Sequence, residues 1–400
     1  MYFILFTAFL HCGEVKVGLD LFFTSENLKT INQKRIGIVT NHTGISSNLI
    51  PTIDLFKQHA QNYKIEAIFS PEHGIHGAHY AGNKINDINL NNIPVYSLHG
   101  ITRRPTKEML KNIDVIIYDI QAIGSRSYTY ETTLFYVMEE AAKNNILVII
   151  LDRPNPINGI TVDGPMLDEK WRSFLGYINV PYCHGMTIGE LALYFNAEYK
   201  IDCNLKVIPM QGWTRNMSFK ETNLPWVPTS PNIPEPDTPF YYPTTGILGA
   251  FNFISIGIGY TLPFKVIGAP WIDGMKLAKC LNDLNLPYVS FIPFHFKPFM
   301  DPYKNEECEG VKIIIRDPVN YRPVTTQYMI LGILKSLYPE QTKKFLSMTE
   351  TQKTLFCQLN GSEELLNILQ TEKYTSWKCA QFQETERKEF LERRKKYLLY

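Results

Sequence analysis

The sequence lacks the features that define several large classes of protein. Its seven cysteines are odd in number and include no Cys-x-x-Cys pair, so we expect neither a disulfide framework nor a zinc ribbon. Lysine and arginine total 40 against 39 aspartates and glutamates, so no basic field favours nucleic acid as a partner. Beyond the first ten residues no run is apolar enough to cross a bilayer, so we expect no membrane span.

Three common catalytic and nucleotide-binding motifs are also missing. No strand is followed by Gly-x-Gly-x-x-Gly, and no Gly-x-x-x-x-Gly-Lys-Ser/Thr loop occurs, which disfavours dinucleotide and P-loop enzymes. No Gly-x-Ser-x-Gly elbow occurs, which disfavours a serine hydrolase. We therefore expect no cofactor.

The first ten residues, MYFILFTAFL, are apolar but too short for a spanning helix. They lack the basic start of a signal peptide, although Leu10-His11-Cys12 weakly resembles a lipoprotein cleavage box. We interpret residues 1–14 as a degenerate export signal, which predicts a periplasmic or lipid-anchored protein. A first core strand, with a cytoplasmic location, is the alternative.

Short β-branched runs alternate with helical patterns through the first half of the chain. This spacing predicts βαβ units and hence a Rossmann-like α/β domain with a parallel sheet, over residues 15–240. Residues 225–243 contain seven prolines and are predicted to be an ordered extended loop leading to a second domain. The mixed pattern after it predicts a smaller α+β accessory domain over residues 241–400. The predicted strands of the first domain are Arg35–Thr40, 65–70, 95–98, 114–120 and 147–152.

Polar side chains follow four of these five strands. Ligands of open α/β sheets bind beyond the carboxyl ends of the strands, so the sequence predicts a polar site at that edge. The residues concerned are Asn41, His42, Glu72, His73, Asp119, Gln121, Arg126, Asp152, Arg153 and Asn155.

Glu72 is the strongest candidate for a catalytic group, because it directly follows an apolar strand. Partial burial would raise the pKa of its carboxyl group, as a general acid requires. Alternatively, Glu72 caps a helix or pairs with an arginine. Asp119 and Asp152 are candidates for a second catalytic carboxylate, but either could instead hold Arg126 or Arg153.

Two further patterns bear on the ligand. Tyr128, Tyr130 and Trp226 would suit the apolar face of a sugar ring, unless they are ordinary core aromatics. His73, His76 and His79 recur every three residues, and a zinc-dependent hydrolase is the alternative that they suggest. They lie in a glycine-containing loop rather than on a helix, so the spacing does not ensure a shared face.

The sequence resembles the exo-β-N-acetylmuramidase (NamZ-type) family along nearly its whole length. The matching stretches include IGIVTNHTG from Ile36, FSPEHGIHG from Phe69, PVYSLHG from Pro94, YDIQAIGSRSYTY from Tyr118, LDRPNPI from Leu151, CHGMTIGELA from Cys183, WVPTSPNIP from Trp226 and TLPFKVIGAPW from Thr261. The resemblance implies a bacterial cell-wall recycling enzyme that releases N-acetylmuramic acid from the non-reducing end of peptidoglycan fragments. The glutamate of the family's PEHG motif falls on Glu72.

On this reading Glu72 protonates the leaving oxygen, and Asp119 or Asp152 stabilises the transition state or activates water. The substrate's own acetamido group could participate instead. Arg126 and Arg153 would bind the muramic carboxylate. The remaining substrate-binding candidates are Asn41, His42, His73, Gln121, Tyr128, Tyr130, Asn155, Trp226 and Asn232.

Several positions depart from the family pattern. Ala122 and Ile258 replace expected charged residues, and Gly249 stands in an altered glycine-rich stretch. His76 also stands where the family usually has arginine. These departures leave open a weakened enzyme or a non-catalytic muropeptide-binding protein.

Overall fold

A seven-stranded sheet forms the centre of the first half of the chain in the structure, a computed structural model that describes residues 14–400. Six strands are parallel, and the edge strand β3 is antiparallel to β4. The order is β3-β4-β2-β1-β5-β6-β7, which confirms the predicted α/β class. The strands are β1 (Arg35–Thr40), β2 (Lys64–Ser70), β3 (Ile88–Leu90), β4 (Ile93–Ser97), β5 (Val115–Asp119), β6 (Leu147–Leu151) and β7 (Leu205–Ile208).

Both faces of this sheet are covered, which explains why its strands read as continuous apolar runs. In β5, Ile116 and Tyr118 pack in one hydrophobic core, whereas Val115 and Ile117 pack in the other. The surrounding helices are α1 (Gly18–Phe22), α2 (Ser25–Lys29), α3 (Thr52–Gln58), α4 (Lys107–Leu110), α5 (Thr129–Lys143) and α6 (Ile188–Glu198), with 3-10 turns at Glu169–Trp171 and Phe219–Thr222.

The second half of the chain forms a smaller α+β unit. Its antiparallel sheet has the order β8-β10-β9, from β8 (Val266–Ala269), β9 (Val289–Phe296) and β10 (Cys308–Ile315). Its helices are α7 (Thr238–Gly249), α8 (Gly274–Asn282), α9 (Pro323–Leu337), α10 (Pro339–Leu346), α11 (Glu350–Asn360), α12 (Glu363–Thr371), α13 (Ser376–Gln381) and α14 (Glu384–Arg394), followed by a 3-10 turn at Lys395–Tyr397. None of the helices between residues 14 and 400 is both long and apolar enough to traverse a bilayer.

The segment after α14 returns to the first unit. Arg394 donates hydrogen bonds to the carbonyl oxygens of His184 and Gly185, each at 2.7 Å. The Tyr400 hydroxyl donates to the Asp152 carboxylate at 2.6 Å, at the end of β6. The end of the chain therefore helps to build the sheet edge that carries the predicted site.

The proline-rich segment is only partly the extended loop that we predicted, because α7 begins at Thr238. Pro239 lies in the first turn of this helix, where no intrahelical donor is needed. Pro243 lies inside the helix, so proline did not end the helix there as expected. The predicted export signal and Cys12 lie outside the described residues.

Candidate active site

The polar loops converge beyond the carboxyl ends of the parallel strands. From β1 the chain builds the sheet outwards through β2 and β4, and then resumes on the other side of β1 with β5, β6 and β7. The switch point lies between β1 and β5, where Thr40 is paired with Asp119. This is the position at which doubly wound sheets bind ligands.

Asp119 and Arg153 are committed to each other at this switch point. Arg153 donates from Nε to Asp119 Oδ1 at 2.5 Å and from Nη2 to Oδ2 at 2.9 Å, a bidentate pair. Thr52 donates a short hydrogen bond to Oδ2, and Arg153 also donates to the carbonyl oxygen of Ile45. Asp119 is completely buried. Asp119 therefore takes the alternative role that we predicted for it, which is to hold an arginine, and both of its oxygens accept hydrogen bonds. The prediction that Arg153 binds the muramic carboxylate is corrected, because Arg153 is already paired.

Asp152 is likewise structural. One carboxylate oxygen accepts from the backbone N–H groups of Gly189 at 2.8 Å and Arg153 at 3.0 Å, and the other accepts from the hydroxyls of Thr187 and Tyr400. Asp152 is completely buried, and burial raises the pKa of its carboxyl group to about 6 despite these donors. With every acceptor position used, Asp152 does not serve as the predicted second catalytic carboxylate.

Glu72 differs from both aspartates because its side chain keeps 10% of its surface exposed. Its Oε1 accepts from the backbone N–H of Gly82 at 2.7 Å, and its Oε2 accepts from the hydroxyl of Thr129 at 2.6 Å. The His99 Nε2 lies 3.6 Å from Oε1. The carboxyl group is thus fixed in orientation, and unlike the two aspartates it keeps a small part of its surface exposed.

The pKa of Glu72 is lowered, not raised as we predicted. Burial is the largest influence and does raise the pKa, as expected. The hydrogen bonds from Thr129 and Gly82, together with the charges of His99 and His73, outweigh burial and hold the pKa below its usual value. The prediction was wrong because it considered burial without the donors that fold around the carboxylate.

The three regularly spaced histidines do not form a ligand group. His73 is buried and bonds through Nδ1 to the carbonyl oxygen of His79 at 2.7 Å, whereas His76 and His79 are exposed. No group of three His, Cys, Asp or Glu side chains in residues 14–400 is arranged to hold a metal ion. His42, which is half-buried, bonds through Nε2 to the carbonyl oxygen of Pro228 at 2.6 Å.

Arg126 lies in the interior rather than at the sheet edge. Its Nη1 donates to the carbonyl oxygens of Pro165 and Val180, both at 2.7 Å, and its Nη2 donates to that of Leu359 at 3.2 Å. Burial lowers the pKa of the guanidinium to about 10. The prediction that Arg126 binds a substrate carboxylate is therefore wrong, since its side chain joins the two units instead.

The three predicted amide residues hold loops in place. Asn41 Oδ1 accepts from the backbone N–H and the hydroxyl of Thr43, and Asn155 Nδ2 donates to the carbonyl oxygen of Met186. Gln121 Nε2 donates to the carbonyl oxygens of Ala122 and Pro154, each at 2.8 Å. These bonds shape the loops beside the switch point, and only the buried Nδ2 of Asn41 lacks a partner among the three side chains.

The predicted aromatic platform is mostly core. Tyr128 and Tyr130 are buried, and their hydroxyls donate to the side chain and the carbonyl of Thr229, respectively. Their ring faces are therefore closed to a sugar, which corrects that prediction. Trp226 is half-buried against Phe219, with 4.7 Å between ring centroids. Asn232 is also half-buried, and the substrate roles of Trp226 and Asn232 stay predictions.

Sequence reasoning missed two groups that contact or adjoin Glu72. Thr129 donates its hydroxyl to Glu72 and lies between Tyr128 and Tyr130, which we had predicted as sugar contacts. His99 lies two residues after the end of β4. The strand-end rule that selected Glu72 would also have selected His99, had it been applied to β4.

Three of the positions that depart from the family pattern are packing positions, whereas His76 is exposed. Ala122 and Ile258 are half-buried against the main hydrophobic core. A Cβ atom at Gly249 would lie 2.4 Å from the side chain of Ile256, so a larger residue there requires Ile256 to move. The space that an expected charged residue would need is thus filled by apolar neighbours.

Fold and site together define a two-unit α/β protein with a mostly buried glutamate beyond the carboxyl end of a parallel strand. Models of the exo-β-N-acetylmuramidase NamZ family match it, the N-terminal model over residues 36–237 and the C-terminal model over residues 240–400. The chain belongs to this family.

Known proteins resemble the chain over its whole length. Peptidoglycan β-N-acetylmuramidase NamZ of Bacillus subtilis strain 168 is 38% identical over 394 residues, which cover 97% of this chain and 92% of that protein. A crystal structure of a DUF1343 family protein from Bacteroides fragilis has a TM-score of 0.89 and 39% identity, covering 97% of this chain and 99% of that one. A second such structure from the same organism has a TM-score of 0.76 and 29% identity, with the same coverage.

Proposed function

We propose that the chain is an exo-β-N-acetylmuramidase, a glycosidase that removes terminal N-acetylmuramic acid from the non-reducing end of peptidoglycan fragments, with Glu72 as its general acid. The activity rests on membership of the family and on the name of the Bacillus subtilis relative. The choice of Glu72 rests on one observation. Of the three carboxylates predicted for the site, Glu72 alone is not completely buried.

The lowered pKa of Glu72 in the free protein is compatible with a general acid if substrate binding raises that pKa. Burial already acts more strongly on the pKa of Glu72 than any other influence, and a sugar ring lying on the exposed edge would remove the remaining water. The carboxyl group would then take up a proton as the substrate binds. Glu72 passes this proton to the glycosidic oxygen as the bond between that oxygen and the anomeric carbon breaks. The water that then attacks the sugar returns one proton to the active site.

The second catalytic role falls to the substrate's acetamido group, since both oxygens of Asp119 and of Asp152 accept hydrogen bonds. His99 is not the base of an inverting enzyme, because its Nε2 lies 3.6 Å from the Glu72 Oε1, on the same side of the sugar as the acid, whereas the groups of an inverting pair lie roughly 6.5–9.5 Å apart. The acetamido oxygen would attack the anomeric carbon as the glycosidic bond breaks, and Glu72 would then take a proton from the water that opens the resulting ring. This course predicts retained product, which proton NMR of the first-formed sugar tests, and inverted product would contradict it.

The central test compares wild type with Glu72→Gln on a chromogenic β-glycoside of N-acetylmuramic acid. We expect kcat to fall by roughly 10²- to 10⁴-fold, the usual contribution of a general acid. Glu66→Gln is a matched control, because Glu66 lies on β2, the strand that precedes Glu72, and pairs with Lys64 at the other end of that strand. Full activity of Glu72→Gln would exclude Glu72 as the acid.

A non-catalytic muropeptide-binding protein is the second candidate, favoured by the apolar packing at Ala122, Gly249 and Ile258. It predicts tight binding of a muramyl disaccharide by wild type without release of sugar over hours. Calorimetry combined with product analysis on the same sample distinguishes it from the hydrolase.

We also propose that the protein is exported, on the basis of the apolar residues 1–10 and the substrate. Fractionation of producing cells, with the periplasmic and membrane fractions probed separately, tests this. Recovery in the cytoplasm alone would contradict it.

A further inference from the structure

N-acetylmuramic acid differs from N-acetylglucosamine by a lactyl ether on C3, which ends in a carboxylate. A site that selects the former sugar needs a cation for this group. The two arginines predicted for that task are unsuitable, because Arg153 is paired with Asp119 and Arg126 is buried between the two units. The carboxylate must therefore be met by another cation near Glu72.

Arg103 has the required position. Its guanidinium carbon lies 4.1 Å from the centre of the Phe174 ring, and this ring packs on His99 with 5.6 Å between centroids. His99 in turn lies 3.6 Å from the Glu72 carboxylate. Burial is the main cause of the lowered pKa of His99. The charge of Glu72 raises this pKa and the charge of Arg103 lowers it, so both charges lie near the imidazole.

Arg103 is also available for a ligand. Its side chain is exposed, and within residues 14–400 it pairs with no carboxylate. The neighbouring Arg104 provides the contrast, since it binds Glu139 and Glu140 and donates to the Tyr177 hydroxyl at 3.0 Å. Stacking on Phe174 orders the Arg103 guanidinium without using its hydrogen-bond donors.

We propose that Arg103 binds the lactyl carboxylate of the terminal N-acetylmuramic acid and distinguishes this sugar from N-acetylglucosamine. The proposal rests on the proposed function of the Glu72 site. C3 is two bonds from the anomeric carbon, where Glu72 acts, so a carboxylate on C3 would extend sideways from the acid. Phe174 lies between His99 and Arg103, so a chain of contacts links Arg103 to the Glu72 carboxylate.

The test uses two chromogenic β-glycosides with one leaving group, N-acetylmuramic acid and N-acetylglucosamine. Arg103→Gln is expected to lower kcat/KM for the muramic glycoside by about 10- to 100-fold, mostly through KM, as for loss of a charge-assisted hydrogen bond. The glucosamine glycoside should change by less than about twofold, because it has no carboxylate to lose. Arg103→Lys should fall between these values, since an ammonium keeps the charge but not the bidentate fork.

Arg393→Gln is the matched control, because Arg393 is also an exposed arginine over an aromatic ring, that of Tyr194 at 6.0 Å, but lies on α14. Equal losses on both glycosides, or none on either, would overturn the assignment of Arg103. If wild type hydrolyses neither glycoside, the proposed function fails, and Arg103 is judged by NMR titration with the two free sugars. A preference for N-acetylmuramic acid that Arg103→Gln abolishes supports the role of Arg103, and an unchanged preference refutes it.

Discussion

At the scale of single residues, the three strand-end carboxylates show how donors decide the role of an acid. Glu72, Asp119 and Asp152 all follow buried strands, yet Asp119 binds an arginine, Asp152 is enclosed by hydroxyl and backbone donors, and Glu72 keeps one open edge. The sequence places these groups correctly at one sheet edge. The sequence does not show which of these carboxylates will be occupied by hydrogen-bond donors, because the donors come from distant positions such as Thr129 and Tyr400.

Thr129→Val tests whether Glu72 acts as an acid. Removing the hydroxyl that stabilises the carboxylate should raise the pKa of Glu72, because the Thr129 hydrogen bond helps to hold that pKa down. A general acid must be protonated, so its activity falls as pH rises through its pKa. The alkaline limb of the kcat/KM profile should therefore move to higher pH in the variant.

Thr133→Val is the control for this experiment, since Thr133 lies one turn further along α5 and donates to the carbonyl oxygen of Thr129. Its profile should match that of wild type. If activity instead rises with pH through the pKa of Glu72, and Thr129→Val moves this acidic limb upwards, Glu72 is a base or nucleophile rather than the acid.

At the scale of elements, Tyr400 connects the end of the chain to β6 and β7. Its hydroxyl donates to Asp152 and accepts from the backbone N–H of Met210 at 2.7 Å. Tyr400→Phe leaves both groups without that partner and should lower the free energy of unfolding by about 1–3 kcal/mol. Chemical denaturation measures this, with Tyr374→Phe as control, because Tyr374 is 73% exposed. Equal stability of the two variants would contradict the role given to Tyr400.

Asp152 should make stability depend on pH in an unusual direction. Burial raises the pKa of its carboxyl group from 3.8 to about 6, so the folded protein binds more protons than the unfolded chain between these values. The contribution of Asp152 to stability is therefore complete below about pH 4 and is lost as pH rises through about 6. The loss amounts to about 3 kcal/mol, from about 1.4 kcal/mol for each pKa unit.

Asp152→Asn removes this titration, so its stability relative to wild type should improve as pH rises from about 4 to 7. Denaturation curves at several pH values measure the difference. A difference that does not change with pH would show that the pKa of Asp152 is not raised.

Most elements of the first unit follow from local pattern, because buried parallel strands are continuous apolar runs and caps have short signatures. The capping box of α6 is one such case, because Thr187 and Glu190 stand three residues apart in the sequence and bond to each other's backbone. The helix α7 could not be predicted in this way. Its prolines indicate a loop, and the structure makes it a helix through burial of Phe240, Ile247 and Leu248 in the main core. Such tertiary packing leaves no local signature.

At the scale of the whole molecule, one hydrophobic core runs through both units. It contains Tyr118 of the first sheet, Val311 of the second sheet and Phe390 of α14. Because neither unit buries these residues alone, we expect a single cooperative unfolding transition, measured by calorimetry together with circular dichroism. Two separate transitions would contradict this expectation.

Arg126 joins the two units by hydrogen bonds. Its substitution distinguishes this structural role from the substrate-binding role that we first predicted. Arg126→Met keeps much of the side-chain length but leaves the carbonyl oxygens of Val180 and Leu359 without their donor, whereas that of Pro165 still accepts from a backbone N–H. At about 1–3 kcal/mol for each buried unsatisfied group, the free energy of unfolding should fall by about 2 kcal/mol or more. The control Arg35→Gln breaks an ion pair whose arginine is 44% exposed, so it should change stability far less than Arg126→Met does. Because Arg126 does not face the Glu72 site, KM for the muramic glycoside should stay unchanged below the unfolding transition. A large rise in KM without loss of stability would restore Arg126 as a substrate ligand and would remove the reason for assigning that role to Arg103.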